Sequence, residues 1–269
     1  MARPITFLSD YGYSDEFAGV CRAVIARIAP EARLVDITHG LPRHAVRQGA
    51  VLLANALPYA EPGVHLAVID PGVGSERRPV AVEVGEERIL VGPDNGVLAL
   101  ATERLGGALA AVDLSASAFR LQPVTATFHG RDIFAPVAAR LAAGAALEEA
   151  GAAIDPASLA GLELPVPRVY PDRIVAHVVY VDRFGNAALN VGHDDLASTF
   201  LRLGHRIVVD AGGTRLTVPF ARTFSDVGPG QGLLYEDSVR SLALAVNRES
   251  AADMLGLAAD DEVTLSPAG

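Results

Sequence analysis

Within its first seventy residues the chain three times closes a short apolar run with polar residues. Residues 5–9 (Ile-Thr-Phe-Leu-Ser) lead into Asp10, residues 34–37 into Thr38 and His39, and residues 64–69 into Asp70. Between these runs apolar residues recur at three- and four-residue steps. Phe17, Val20, Cys21, Val24, Ile25 and Ile28 precede Pro30, and Val46, Ala50, Leu53, Ala54 and Leu57 precede Pro58. That spacing marks one face of a helix, and each proline stops it. Strand and helix in alternation predict parallel strands joined by right-handed crossovers. The three polar strand ends then gather on one edge of the sheet, where open α/β folds bind ligands.

The third strand runs into Asp70-Pro71-Gly72-Val73-Gly74-Ser75-Glu76-Arg77-Arg78. Gly72 and Gly74 allow a positive φ or a close approach to a ligand. The seven-residue step from Asp70 to Arg77 lets the chain fold back and pair the two charges. Two readings stand side by side: a site-building loop, or a surface turn with an ordinary salt bridge.

Residues 80–84 and 88–91 read as two further strands joined by a tight turn at 85–87. Gly92-Pro93-Asp94-Asn95-Gly96 leads into a helix over 97–105, and Thr127-Phe128-His129-Gly130-Arg131-Asp132 precedes another over 133–141, with Asp132 as N-cap or first-turn residue. Residues 142–171, rich in Ala, Gly and Pro, read as a linker. Strands follow at 174–181, 187–191, 206–209, 215–218 and 242–246. The expected architecture is α/β: an N-terminal, mostly parallel α/β sandwich domain over 1–165 and a smaller C-terminal β-barrel-like domain over 172–269.

Composition narrows the function. A formal net charge of −10 argues against a general nucleic-acid binder. The single cysteine, Cys21, rules out an intrachain disulfide framework and falls in the apolar helical pattern, as a buried thiol would. No secretory signature and no apolar stretch of membrane-spanning length is visible, so a cytoplasmic protein without membrane contact is expected. Neither a phosphate-binding P-loop nor a complete dinucleotide fingerprint nor a serine-hydrolase elbow occurs. The seven histidines form no ligand-spaced metal motif; His39 and His44 are five apart, and His193-Asp194-Asp195 reads as a solvated turn.

Four positions invite chemistry. Asp10, at the end of the first strand, suits the two hydroxyls of a ribose, with a helix N-terminal carboxylate as the alternative. His129 sits in a loop before a helix, open to either a catalytic or a structural role. Phe184 and Asn186, within Asp182-Arg183-Phe184-Gly185-Asn186, offer a stacking face and an amide suited to a purine, although Gly-Asn is also hairpin-turn chemistry.

Five segments in order, Phe7-Leu8-Ser9-Asp10-Tyr11-Gly12, Asp70-Pro71-Gly72-Val73-Gly74, Gly92-Pro93-Asp94-Asn95-Gly96, Phe128-His129-Gly130-Arg131-Asp132 and Asp182-Arg183-Phe184-Gly185-Asn186, resemble the S-adenosyl-L-methionine hydroxide adenosyltransferases. These adenosine-forming hydrolases are related to fluorinating and chlorinating enzymes that use the same substrate. The resemblance runs from about Ile5 to Leu257. It implies a catalytic set on Asp70, Arg77 and His129, and substrate contacts from Asp10, Phe128, Asp182, Phe184, Asn186, Ser238 and Val246. It also implies a homotrimer whose active sites lie where the N-domain of one subunit meets the C-domain of a neighbour. S-adenosyl-L-methionine is substrate, with no metal and no other cofactor expected. The halogenating relatives carry a long insertion after the Asp-Pro-Gly loop and replace the Asp and His. Here seven residues separate Arg78 from Glu86, so water or hydroxide is the expected nucleophile. Residues 237–243 depart from the family wording. A non-catalytic adenosine- or S-adenosylmethionine-binding protein, and halide-dependent adenosyl transfer, are the alternatives.

Overall fold

The computed structural model describes residues 2–196 and 199–268. The chain divides into two compact units, Met1–Leu162 and Glu163–Gly269. In the first, β1 (Ile5–Ser9), α1 (Phe17–Ile28), β2 (Leu34–Thr38), α2 (Val46–Ala56) and β3 (Val64–Val68) follow the predicted alternation. β4 (Pro79–Val84), β5 (Arg88–Pro93), α3 (Ala99–Arg104), β6 (Ala108–Asp113), α4 (Ala135–Ala142), α5 (Leu147–Ala150) and β7 (Ala152–Ile154) complete it. The sheet order is β2-β1-β3-β5-β4-β6-β7. β2, β1, β3 and β5 run parallel to one another, while β4, β6 and β7 add antiparallel pairs.

Period-two alternation explains why these strands read as continuous apolar runs. On one face Ile5, Phe7, Val64, Leu66 and Val68 pack with Cys21, Val24 and Ile25 of α1 and with α4. On the other, Leu8, Ala67 and Ile69 pack with Leu53 and Ala54 of α2 and with Ala101 of α3. A sheet covered on both faces needs apolar residues at every strand position. Truncating a fully buried ring such as Phe7 to Ala should cost about 3–5 kcal/mol. Cys21 is buried, and burial pushes its thiol up to about 12, so it is unreactive.

Residues 142–171 are not a linker throughout. Leu147 and Ala150 are buried on α5, and β7 extends the sheet edge by pairing with β6. Small residues, read as a linker, here permit close packing. Asp132 is a first-turn residue of the helical segment Gly130–Phe134 and not its N-cap. It is buried, accepting hydrogen bonds from the Thr125 backbone N–H at 2.8 Å and hydroxyl at 2.6 Å.

The second unit contains β8 (Arg168–Val169), β9 (Ile174–Val181), β10 (Ala187–Gly192), α6 (His193–Leu196), β11 (Arg206–Ala211), β12 (Thr214–Pro219), β13 (Gly232–Glu236), β14 (Ser241–Val246), α7 (Ala251–Leu255) and β15 (Glu262–Pro267). The sheet order β12-β11-β15-β9-β10-β14-β13 nearly closes, because a bridge between Phe220 and Leu234 brings its two ends together. The result is barrel-like, with Ile174, Leu189, Leu244, Val263 and Leu265 inside.

Among the buried polar groups of the N-terminal unit, His65 lies within the sheet itself. His65 is fully buried on β3, its Nδ1 2.9 Å from the Thr6 hydroxyl and its Nε2 3.1 Å from Arg88 Nη1. A guanidinium only donates, so Nε2 accepts and Nδ1 carries the proton. Burial, with Arg88 adding to it, pulls the imidazole from 6.5 down to about 3. The unfolded chain then binds an extra proton between those values, and stability falls as pH drops through that window. His65→Gln should lower stability at pH 7.5 by about 1–3 kcal/mol and flatten the loss between pH 6.5 and 4. Thermal melts across that range check it; an unchanged slope would exclude His65 as a source of acid sensitivity.

Candidate active site

The polar strand ends meet as the topology requires. The turn after β3 is closed by hydrogen bonds from Val73 N–H to the Asp70 carbonyl and from the Ser75 hydroxyl to the Gly72 carbonyl. Gly74 has φ +78°, and a Cβ there would stand 2.6 Å from the Ala126 carbonyl oxygen, so only glycine fits. The turn brings Arg77 back onto Asp70. Nε donates to Oδ1 at 2.8 Å and Nη2 donates to Oδ2. Nη2 also lies 2.8 Å from His129 Nδ1. The pair is largely desolvated, with side chains 9% and 7% exposed for Arg77 and Asp70. Bidentate geometry of this kind offsets the cost of burying both charges. Arg77 Nη1 is also buried and bonds to no described group.

His129 stands at the entrance of a wide helical turn, Gly130–Phe134, that runs into α4. Such turns with i→i+5 bonding are frequent at functional sites. Because Arg77 can only donate, the network assigns His129 Nδ1 as acceptor and places the ring proton on Nε2. Burial and then the Arg77 charge hold the imidazole below its ordinary value, which keeps it neutral.

A cavity of about 610 Å³ is lined by Asp10, Tyr11, His44, Asp70, His129 and Gly130, among others. Arg77 is not in its lining; it stands in the wall, holding the two groups that are. Asp10 Oδ2 accepts the His44 backbone N–H at 2.9 Å, tying the loop after β1 to the loop after β2. Phe128 packs edge-on against Phe17 and Tyr11 and carries the Arg131 guanidinium on its face.

Sequence reasoning missed the support beneath Asp10. His39, rejected as a metal ligand, is fully buried, with Nδ1 2.7 Å from the Ser9 hydroxyl and Nε2 3.3 Å from Asp36 Oδ1. Ser9 Oγ accepts the Tyr11 backbone N–H at 3.3 Å, and Gly12 N–H donates to the His39 carbonyl at 2.7 Å. Arg22 anchors Asp36 from α1. The polar Ser9 closing an apolar strand, opposite a histidine closing the next, was the available signal.

In the second unit Phe184, Asn186, Phe224, Val246, Asn247 and Arg248 line a cavity of about 380 Å³. Asp182 builds the β9–β10 turn from within: Oδ1 accepts the Phe184 and Asn186 backbone N–H groups at 2.8 and 2.9 Å, and Oδ2 accepts the Asn186 amide at 2.8 Å. The hairpin-turn reading therefore holds, and the turn presents Phe184 72% exposed. Ser238 lies exposed on the β13–β14 turn, outside this cavity's lining; there Asp237 Oδ1 accepts the Val239 and Ser241 N–H groups. His193 pairs with Glu236 at 3.0 Å. Among the described residues no cluster of three or more His, Cys, Asp or Glu side chains could hold a metal ion. No described helix is long and apolar enough to cross a membrane.

Comparison with known proteins gives this geometry a context. The SAM hydroxide adenosyltransferase N-terminal domain matches residues 5–151 and the corresponding C-terminal domain matches residues 176–264. The (R)-S-adenosyl-L-methionine hydrolase of Salinispora tropica is 45% identical over 262 residues, 97% of either chain. The protein of the same name from Thermus thermophilus is 40% identical over 95% of this chain and 96% of its own. A fluorinase from Nocardia brasiliensis is 28% identical over 93% of this chain and 92% of its own. The crystal structure of an uncharacterized conserved protein from Thermotoga maritima aligns with a TM-score of 0.90 at 33% identity, over 97% of this chain and 99% of that one. The chain belongs to the SAM hydroxide adenosyltransferase family.

Proposed function

We propose that this protein hydrolyses S-adenosyl-L-methionine to adenosine and L-methionine by attack of water at C5′, with Asp70, Arg77 and His129 as its catalytic set. The observation that carries the reading is the hydrogen-bonded trio itself, presenting a carboxylate and an imidazole N–H to one cavity. Curated relatives named hydrolases, similar over nearly the whole chain, support the substrate and the reaction.

The sulfonium makes methionine a neutral thioether leaving group, so no acid is needed at sulfur. The reaction lacks only a nucleophile. His129 Nε2–H donates to the oxygen of a water molecule, and Asp70, which keeps a lone pair on each oxygen beyond its bonds to Arg77, accepts one of its protons. The oxygen lone pair attacks C5′, the C5′–S bond breaks, its electron pair stays on sulfur, and the proton moves to Asp70. The fixed charge of Arg77 favours hydroxide character on the attacking oxygen. Histidine thus acts as a donor, not as the base, because Arg77 sets its tautomer. β4 begins at Pro79, immediately after Arg78, and runs straight to the turn at 85–87, without the long insertion expected of the halogenating relatives.

Substrate contacts follow the same reading. Asp10 holds the ribose diol and Phe128 flanks that end. Asp182, Phe184 and Asn186 contact the methionine end and the adenine, and Ser238 and Val246 belong to the late segment that completes the pocket. The assembly is a homotrimer, in which the N-terminal unit of one subunit and the C-terminal unit of a neighbour form each site. Light scattering on a sizing column should give three chain masses; a monomer would overturn the shared site.

Incubation with S-adenosylmethionine in ¹⁸O-water should yield adenosine labelled at the 5′-oxygen. Unlabelled nucleoside would rule out water attack, and substrate bound but intact would favour a binding protein. His129→Ala should lower kcat about 10²–10⁴-fold and change adenosine affinity little; equal losses in both would remove it from the catalytic set. Neutral His129 is required, and its titration lies below the ordinary 6.5. Protonation puts a second donor against Arg77, so kcat should fall on the acid side with a midpoint below pH 6.5. An acid limb that survives in His129→Ala would belong to another group.

A further inference from the structure

The trio leaves one direction around the attacking water unassigned. A water molecule has two protons and two lone pairs. His129 Nε2–H takes one lone pair, Asp70 takes one proton, and the second lone pair must face C5′. The second proton needs an acceptor, or the water can rotate and lose its aim.

Tyr11 shares the cavity in which that acceptor is needed. Its side chain lines the same cavity as Asp70, His129 and Gly130. Its hydroxyl is so close to the residue after His129 that a Cβ on Gly130 would stand 2.1 Å from the oxygen. Phe17 and Phe128 brace the ring, with centroids 5.8 and 5.9 Å away. The backbone is held as well, through Tyr11 N–H to Ser9 Oγ and so to His39. The hydroxyl bonds to no described protein group, although a half-buried phenol ordinarily finds a partner. Burial, with the nearby Asp10 and Asp70 charges, holds its titration well above 10, so it stays a neutral phenol at any working pH.

We propose that Tyr11 is a fourth catalytic residue, its hydroxyl oxygen accepting the second proton of the nucleophilic water and so directing the remaining lone pair at C5′. Acceptance is the required sense, since donation would occupy the attacking lone pair. Gly130 follows from this role, because any side chain there would displace the hydroxyl. The inference rests on the hydrolase reading and adds a residue for which the sequence suggested no task.

Tyr11→Phe removes one oxygen and leaves the ring packing intact. With S-adenosylmethionine its kcat should fall about 10- to 100-fold, the worth of one hydrogen bond to a reacting group. KM and the Kd for adenosine should stay within a factor of about three. An unchanged kcat would overturn the proposal. A loss confined to KM and adenosine affinity would overturn it too, by making Tyr11 a ribose contact beside Asp10. Gly130→Ala supplies an independent arm. It should lower kcat in the presence of Tyr11 and cost much less in the Tyr11→Phe background; additive losses would contradict the coupling. Wild-type protein that releases no adenosine would fail the hydrolase reading itself, a result distinct from active wild type with an equally active Tyr11→Phe.

Discussion

The planar fork of Arg77 fixes the chemistry of the site. Its guanidinium cannot lose a proton and cannot accept a hydrogen bond. Every group that touches it must therefore present a lone pair. Two carboxylate oxygens of Asp70 and Nδ1 of His129 do so, and two loops 52 residues apart in sequence become one unit. The tautomer of His129 follows, and with it the direction in which that ring can help a water molecule. Removing the guanidinium would leave a 7% exposed carboxylate without its counter-charge, which costs far more than an exposed salt bridge is worth. These three bonds hold the buried charges together and fix the groups that face the cavity.

Buried histidines recur in the N-terminal unit with the same logic and different duties. Arg88 sets the tautomer of His65 as Arg77 sets that of His129, yet His65 is fully enclosed between β1 and β5 and can only cross-link the sheet. His39 is oriented by a carboxylate instead: with Nε2–H toward Asp36, Nδ1 accepts from Ser9, whose oxygen in turn accepts the Tyr11 N–H. A chain of bonds thus runs from His39 through Ser9 to the loop bearing Asp10 and Tyr11. Strand ends are convenient places for such groups. The sheet has finished its own hydrogen bonding there, and the backbone turns away to leave side chains facing each other.

Much of the fold was legible because the first seventy residues follow simple rules. Apolar runs of about five residues and helices ended by proline left little choice of topology, and the tight turn at 85–87 appears with Glu86 and Glu87 at φ +61° and +56°. β6 and β7 were invisible for a physical reason: Ala-Leu-Ala-Ala-Val-Asp and Ala-Ala-Ile carry weak strand preference, and pairing along the sheet edge decides their state. In the candidate site, the resemblance carried by ordered motifs named Asp70, Arg77 and His129, and the structure brings the three into hydrogen-bond contact. Ser9, His39 and Tyr11 were given no task, since their contacts run between segments and the polar strand ends were the signal available for them. Asp132 and Asp182 each also build the backbone of the motif they stand in, a duty beyond the roles expected of them.

That second case bears on how a turn can also be a binding element. Asp182 uses one oxygen for two backbone N–H groups and the other for the Asn186 amide, so the β9–β10 turn is held rigid from inside. Rigidity is what an exposed ring needs if it is to stack, because ordering a mobile aromatic on binding would consume much of the gain. Phe184 at 72% exposure is apolar surface left in water. Covering half of such a ring is worth on the order of 1 kcal/mol before any specific stacking. The Asn186 amide keeps its oxygen and a second N–H for a base edge after its bond to Asp182. Turn chemistry and nucleoside binding are therefore compatible readings of the same five residues, and the first is the condition for the second.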